Sequence, residues 1–282
     1  MKKISILIVS ALLCLNLSAK SALVVIAHGS PSAAWNNAVL DLEGRLAAAK
    51  IPGISYTRVA LMEFARPDIA DVIRDCELQQ VDTVFALPLF ISPSGHSEDD
   101  IPNILGLKYN PSIFNAIREE GIRTVNTGMH IILGPTLMES GLISKIMLRR
   151  VKALSSDKND EAVIFLAHGD EYRKGFWDKI LRDCAEEVKA SGFTCVDYRL
   201  VGMGQNLRND IAPLLNKASK ERERVIVQGI YLVSAANSMA RRAGLEAENI
   251  IFGSEGILPQ SGDEVIGWIV NTTKEWLASR QQ

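Results

Sequence analysis

One tripeptide at the end of an apolar run occurs twice in this chain, and that recurrence constrains its fold more than any other feature. Leu23-Val24-Val25-Ile26-Ala27 leads into His28-Gly29, and Val163-Ile164-Phe165-Leu166-Ala167 leads into His168-Gly169. The spacing between the two copies is 140 residues, and it persists elsewhere. Glu63 and Gln205 are 142 apart, and His96 and Asn237 are 141 apart. A near-constant offset at three separate places implies a duplicated unit of about half the chain.

Each copy alternates short apolar runs with stretches of helical periodicity. Continuous apolar runs read as strands buried on both faces. In the first copy these are Ala22–Ala27, Ile54–Met62, Thr83–Phe90 and Met129–Leu133. Between them, Trp35, Val39, Leu42 and Leu46 recur at helical spacing, as do Ile69, Val72, Ile73 and Cys76. Another helix is expected near Pro111–Glu120, and one with Leu142, Ile143, Ile146, Met147 and Val151 on its inner face. The second copy repeats the order, with strands at Ala162–Ala167, Cys195–Val201 and Val225–Val233 and a short echo at Ile250–Gly253. A helix is expected to open at Asp210 and the last to run Asp263–Ala278. Alternating β and α segments predict right-handed crossovers and a parallel sheet. The expected architecture is two tandem α/β domains of flavodoxin- or Rossmann-like type, at 22–154 and 161–282, joined by the polar Ser155–Asp160 segment.

Residues 1–21 read differently. Lys2 and Lys3 precede the apolar Ile4–Leu17 run, and small residues follow. This is the pattern of a secretory signal peptide, so the protein is expected in the periplasm or otherwise exported. The run is too short for a stable membrane span. The bulky Leu13 before Cys14 argues against lipid attachment there. Three further cysteines, Cys76, Cys184 and Cys195, show no CxxC spacing. Cys76 and Cys184 fit buried thiols, although an oxidising compartment permits a Cys184–Cys195 bridge. The formal charge of −2, without a Lys/Arg run, argues against a nucleic-acid partner.

In open parallel sheets, ligands bind beyond the carboxyl ends of the strands. Three residues of the first half occupy such ends: His28, Glu63 and His96. Singly, each reads as a structural residue. Together, two imidazoles and a carboxylate can hold a first-row divalent metal and accept protons. The corresponding His168, Gln205 and Asn237 offer one imidazole and two amides, a poor metal set. His130 has no such company and reads as structural. Glu98, Asp99 and Asp100 are either a solvated loop or an electrostatic lure for cations. Gly29-Ser30-Pro31-Ser32 can cradle a phosphate, but P-loop and dinucleotide spacings are absent, so no nucleotide is expected. No GxSxG elbow is present.

At these residues the chain resembles the class II chelatases. Ala27-His28-Gly29-Ser30, Leu61-Met62-Glu63 with Pro67, and Pro88-Leu89-Phe90 through Gly95-His96-Ser97 and Asp100-Ile101-Pro102 carry the likeness. It is closest to the sirohydrochlorin cobaltochelatase and ferrochelatase group (CbiX/SirB-like) in its long, two-domain form. The resemblance implies insertion of a divalent metal, Co²⁺ first and Fe²⁺ or Ni²⁺ next, into a tetrapyrrole such as sirohydrochlorin without ATP. It assigns metal binding and proton acceptance to His28, Glu63 and His96. It also implies basic residues for the substrate carboxylates, for which Arg66, Lys108 and Arg123 are candidates. A duplicated chain supplies its own second domain, so a monomer is preferred over a homodimer. The competing function is an exported metal- or tetrapyrrole-binding protein without turnover.

Overall fold

The computed structural model describes residues 19–169, 173–201 and 207–280, apart from the side chains of Leu207 and Gln260. The first half runs β1 (Ser21–Ala27), α1 (Ala33–Leu40), α2 (Leu42–Ala48), β2 (Tyr56–Leu61), α3 (Ile69–Leu78) and β3 (Thr83–Pro88). A π-helical turn over His96–Asp100 leads into α4 (Ile101–Ile104), followed by α5 (Pro111–Glu119), β4 (His130–Leu133) and α6 (Leu142–Leu154). The second half runs β5 (Glu161–Ala167), α7 (Lys174–Ala190), β6 (Cys195–Leu200), α8 (Leu207–Glu221), β7 (Arg224–Gly229), α9 (Ala236–Arg242), β8 (Ile250–Phe252) and α10 (Ile257–Ser279).

Two four-stranded parallel sheets result, with orders β2-β1-β3-β4 and β6-β5-β7-β8. The duplication read from the sequence is therefore a duplication of topology. Along β1, Leu23, Val25 and Ala27 face one apolar cluster while Ala22, Val24 and Ile26 face another. Along β5, Val163, Phe165 and Ala167 face the first of these clusters, and Ala162, Ile164 and Leu166 face a third. The strict alternation of a pleated strand thus builds two outer cores and one core shared by both halves.

The shared core is closed by an exchange of helices. α6, the last helix of the first half, packs on α7 and β7. α10, the last helix of the second half, returns over α1 and α2. Trp276 of α10 stacks on Phe85 of β3 with ring centroids 4.6 Å apart. Arg280 donates to the Ser21 and Thr83 hydroxyls at 2.9 and 3.4 Å. Arg150 of α6 is buried, and its guanidinium donates to the carbonyls of Glu255, Gly256 and Ile257 at 3.2, 2.7 and 3.3 Å. It thereby holds the start of α10.

Several expectations shift in detail. The helix read through Trp35–Leu46 is divided by a turn at Asp41. The last helix begins six residues earlier than Asp263, with a kink at Ser261, whose hydroxyl meets both Arg149 and Arg150. The leader expected over 1–21 overlaps the fold at its end: Ser21 is buried in β1, and the Lys20 amide donates to Asp82 Oδ2 at 2.7 Å. Residues 1–18, including Cys14, lie outside the described residues. Among the described residues no helix is long and apolar enough to cross a membrane. Cys76, Cys184 and Cys195 are free thiols, so no Cys184–Cys195 bridge is formed. Cys184 is buried on the inner face of α7, whereas Cys195 opens β6 beside Glu221. Burial pushes the Cys76 thiol up to about 12.

Candidate metal centre

The register of the sheet brings the site together. Ala27 lies beside Leu61, and Ile26 beside Pro88, so β1, β2 and β3 end at one level. His28 follows β1 directly, Glu63 lies two residues past β2, and His96 opens the π-turn after β3. The β1 and β2 loops are in direct backbone contact: the Glu63 amide donates to the His28 carbonyl at 3.0 Å. Gly29, at φ +93°, makes that approach possible, since a Cβ there would lie 2.1 Å from the Glu63 carbonyl oxygen.

His28, Glu63 and His96 converge. His28 Nε2 is 2.9 Å from Glu63 Oε1 and 3.2 Å from His96 Nε2. These separations are close to the roughly 3.0–3.4 Å between two donors that share one ion at about 2.1 Å. His28 contacts each of the other two directly; as they stand, no group of three or more such side chains among the described residues is arranged to hold a metal ion. Their side chains are 33%, 17% and 42% exposed, so a dissolved ion can reach them.

The outer ring nitrogens fix what the inner ones present. His28 Nδ1 lies 2.9 Å from the Gly29 carbonyl, which can only accept, so Nδ1 carries the proton. His96 Nδ1 lies 2.7 Å from Asp100 Oδ2, which assigns its proton in the same way. Each neutral ring therefore presents an Nε2 lone pair, and that of His28 lies close to both His96 Nε2 and the Glu63 carboxylate. Acceptors crowded in this way attract a cation, whether metal ion or proton. The Asp100 hydrogen bond also raises the His96 pKa above its ordinary value, against the opposing effect of burial. Phe64 and Phe90 flank the rings, with centroids 5.9 Å from His28 and 6.4 Å from His96.

The sequence placed Asp100 in the Asp100-Ile101-Pro102 motif but gave it no role at the site. The signal was available in its spacing of four residues from His96 on a helical turn. Nor did it single out Phe64, 60% exposed and at φ +66° immediately after Glu63. The rim residues are all engaged with carboxylates. Arg123 reaches Asp68 at 2.9 and 2.5 Å and Asp71 at 2.6 Å. Arg66 meets Asp71 at 2.5 Å, and Lys108 meets Asp99 at 2.7 Å. Ser32 caps α1, accepting from the Trp35 amide at 3.4 Å, so the Gly29–Ser32 stretch serves as a helix entry. His130 is exposed at the opposite end of the sheet, at the start of β4.

In the second half, His168 repeats the bond of its Nδ1 to the next carbonyl, here Gly169 at 2.9 Å. Its ring packs against Trp177 and Tyr231, with centroids at 5.4 and 6.1 Å. Asn237 lies on α9, its amide donating to the Gly253 carbonyl at 3.0 Å. Gln205 lies outside the described residues.

The paired parallel-sheet fold, with imidazole and carboxylate groups at the strand ends of one half, is similar to that of solved chelatases. Residues 22–154, just under half of the chain, match the CbiX family model. A sirohydrochlorin cobaltochelatase of Methanococcus maripaludis is 35% identical over 86 residues. That match takes in 30% of this chain and spans 58% of the relative's length. The solved structure of SirB from Bacillus subtilis with Fe³⁺ superposes with a TM-score of 0.64 at 14% identity, covering 91% of this chain and 95% of that one. The sirohydrochlorin chelatase SirB from Bacillus subtilis subspecies spizizenii in complex with cobalt gives 0.52, also at 14% identity, covering 84% and 87%. At such identities the two structures establish a shared fold, now extending across both halves.

Proposed function

We propose that this protein inserts a divalent metal ion into a tetrapyrrole of the sirohydrochlorin type, without a nucleotide, and that His28, Glu63 and His96 carry the reaction. The observation that carries this reading is the approach of His96 Nε2 and the Glu63 carboxylate to His28 Nε2, at 3.2 and 2.9 Å, among partly exposed side chains. The matched relative's cobaltochelatase name supports the substrate class.

The chemistry follows from charge balance. The incoming ion, a substrate here, brings two positive charges, and two pyrrole N–H protons leave the macrocycle. An ion held by the three acceptors is handed to the ring nitrogens. The lone pairs thus released take up the departing protons and pass them to solvent, so charge at the site never rises by more than it began with. Glu63, the least exposed of the three, offsets the cation while it is bound. The flanking Phe64 and Phe90 rings offer apolar faces to a planar macrocycle. Cobalt is the first choice of metal, with iron and nickel next, as imidazole-rich sites suit these ions. The second half serves as a wall. The basic and then apolar N-terminal sequence, read as a leader, suits action outside the cytoplasm, and the internal duplication suits a monomer.

The test is absorbance. Protein mixed with sirohydrochlorin and Co²⁺, Fe²⁺ or Ni²⁺ should speed the decay of the metal-free bands over buffer. His96→Ala should abolish this and His168→Ala should leave most of it. No acceleration with any metal would leave a carrier without turnover, and equal losses from both variants would move the site to the wrong half.

A further inference from the structure

We propose that Asp100 is a positioning residue for this centre: it holds His96 in the Nδ1–H tautomer and thereby aims the Nε2 lone pair at His28 Nε2. The proposal rests on the reading of that cluster as a cation-holding set.

Geometry carries it first. The Asp100 Oδ2 to His96 Nδ1 distance of 2.7 Å is that of a strong, charge-assisted hydrogen bond. Of the neighbouring acids, Asp99 turns away to Lys108 and Arg173, at 2.7 and 3.1 Å. The backbone beneath Asp100 is firmly held. Ile101, Pro102, Asn103 and Ile104 are all buried. Asn103 donates to the Asp99 carbonyl at 2.8 Å and accepts from the Asn110 amide at 2.7 Å. A carboxylate on such a base orients a ring rather than following it.

Chemistry carries it next. A histidine with no partner on Nδ1 is free to place its proton on Nε2, where it would occupy the position a cation needs. The hydrogen bond on the far nitrogen decides which tautomer forms. For His28 the backbone carbonyl of Gly29 does this and no side-chain change can remove it. For His96 the device is a side chain.

The internal repeat supplies an independent argument. The offset of 141 that maps His96 to Asn237 maps Asp100 to Arg241. Asn237 and Arg241 both lie on α9, and Arg241 pairs with Glu246 at 3.3 Å. A guanidinium cannot accept a proton. The second half therefore lacks the imidazole and its carboxylate as a pair, while His168 keeps its carbonyl partner. The two residues behave as one unit.

The experiment uses the full chain as wild type, Asp100→Ala, Asp100→Asn and His96→Ala. Long-range ¹H–¹⁵N NMR reads the tautomer of each of the four histidines without metal, and visible absorption titration with Co²⁺ reads affinity. Asp100→Ala should shift His96 toward the Nε2–H form and weaken Co²⁺ binding about 10- to 100-fold. Asp100→Asn, whose amide oxygen still accepts, should recover much of both. An unchanged tautomer or an unchanged affinity in Asp100→Ala would overturn the assignment, provided wild type binds Co²⁺ more tightly than His96→Ala. If those two bind alike, the cation-holding reading itself falls.

Discussion

Gly29→Ala is the smallest change that should dismantle the centre. The added Cβ would lie 2.1 Å from the Glu63 carbonyl oxygen and 3.1 Å from its carbon. Both are backbone atoms, so no side chain can swing aside. Relief needs the β1 and β2 loops to part by about 1.3 Å or more, to an ordinary contact of 3.4–4 Å. The φ of +93° adds a second cost, since a residue with a Cβ rarely adopts it. Backbone strain of about 1–2 kcal/mol and overpacking of about 1–3 kcal/mol together put the loss of stability at roughly 2–5 kcal/mol. The same movement stretches the 2.9 Å contact between His28 and Glu63. A displacement of about 1 Å at a reacting centre costs on the order of 100-fold in rate. The control is Gly44→Ala on α2, where a Cβ meets nothing within 4 Å; it should be neutral or stabilising by about 0.5–1 kcal/mol. Chemical denaturation gives the stability and decay of the metal-free tetrapyrrole bands gives the rate. Gly29→Ala with the stability and turnover of Gly44→Ala would refute the claim that the loop contact builds the site.

Three further outcomes are expected. Glu63→Gln, nearly isosteric, should keep the fold but lose the charge opposite the cation, reducing turnover by about 100-fold or more, as measured by the same band decay; wild-type rates would remove Glu63 from the mechanism. Arg150→Ala should destabilise the chain by about 3 kcal/mol in denaturant melts, because three carbonyls near the start of α10, those of Gly256 and Ile257 buried, lose a charged donor. The Arg123 and Arg66 guanidiniums hold the Asp71 carboxyl well below the usual carboxylate range. Its contribution is then present above the unfolded-state value near pH 4 and is lost as pH falls below that. Stability plotted against pH should therefore decline less steeply on the acid side in Asp71→Asn than in wild type.

The parallel strands and the candidate site were read from the sequence for the same reason. Strands buried on both faces write themselves as unbroken apolar runs, and their ends carry the polar residues that follow. His28, Glu63 and His96 were legible because each stands just beyond such a run. The helix exchange was not legible. Local periodicity shows that α6 and α10 each have an apolar face, but not which sheet covers it, and the contacts of Trp276 with Phe85 and of Arg150 with Gly256 join distant parts of the chain. The rim is a similar case. Arg66, Lys108 and Arg123 were read as candidates for the substrate carboxylates, and their pairing with Asp68, Asp71 and Asp99 depends on loops that periodicity does not describe. Asp100 stood in the Asp100-Ile101-Pro102 motif, but its role was not legible, since composition cannot say which of three adjacent acids turns toward an imidazole.

Crystals of the full chain soaked in Co²⁺ and recorded at the cobalt absorption edge would locate the ion itself. An anomalous peak about 2.1 Å from Nε2 of both His28 and His96, with Glu63 beside it and none at His168, is the predicted result. A peak at His168, or none at the ends of β1, β2 and β3, would contradict the account.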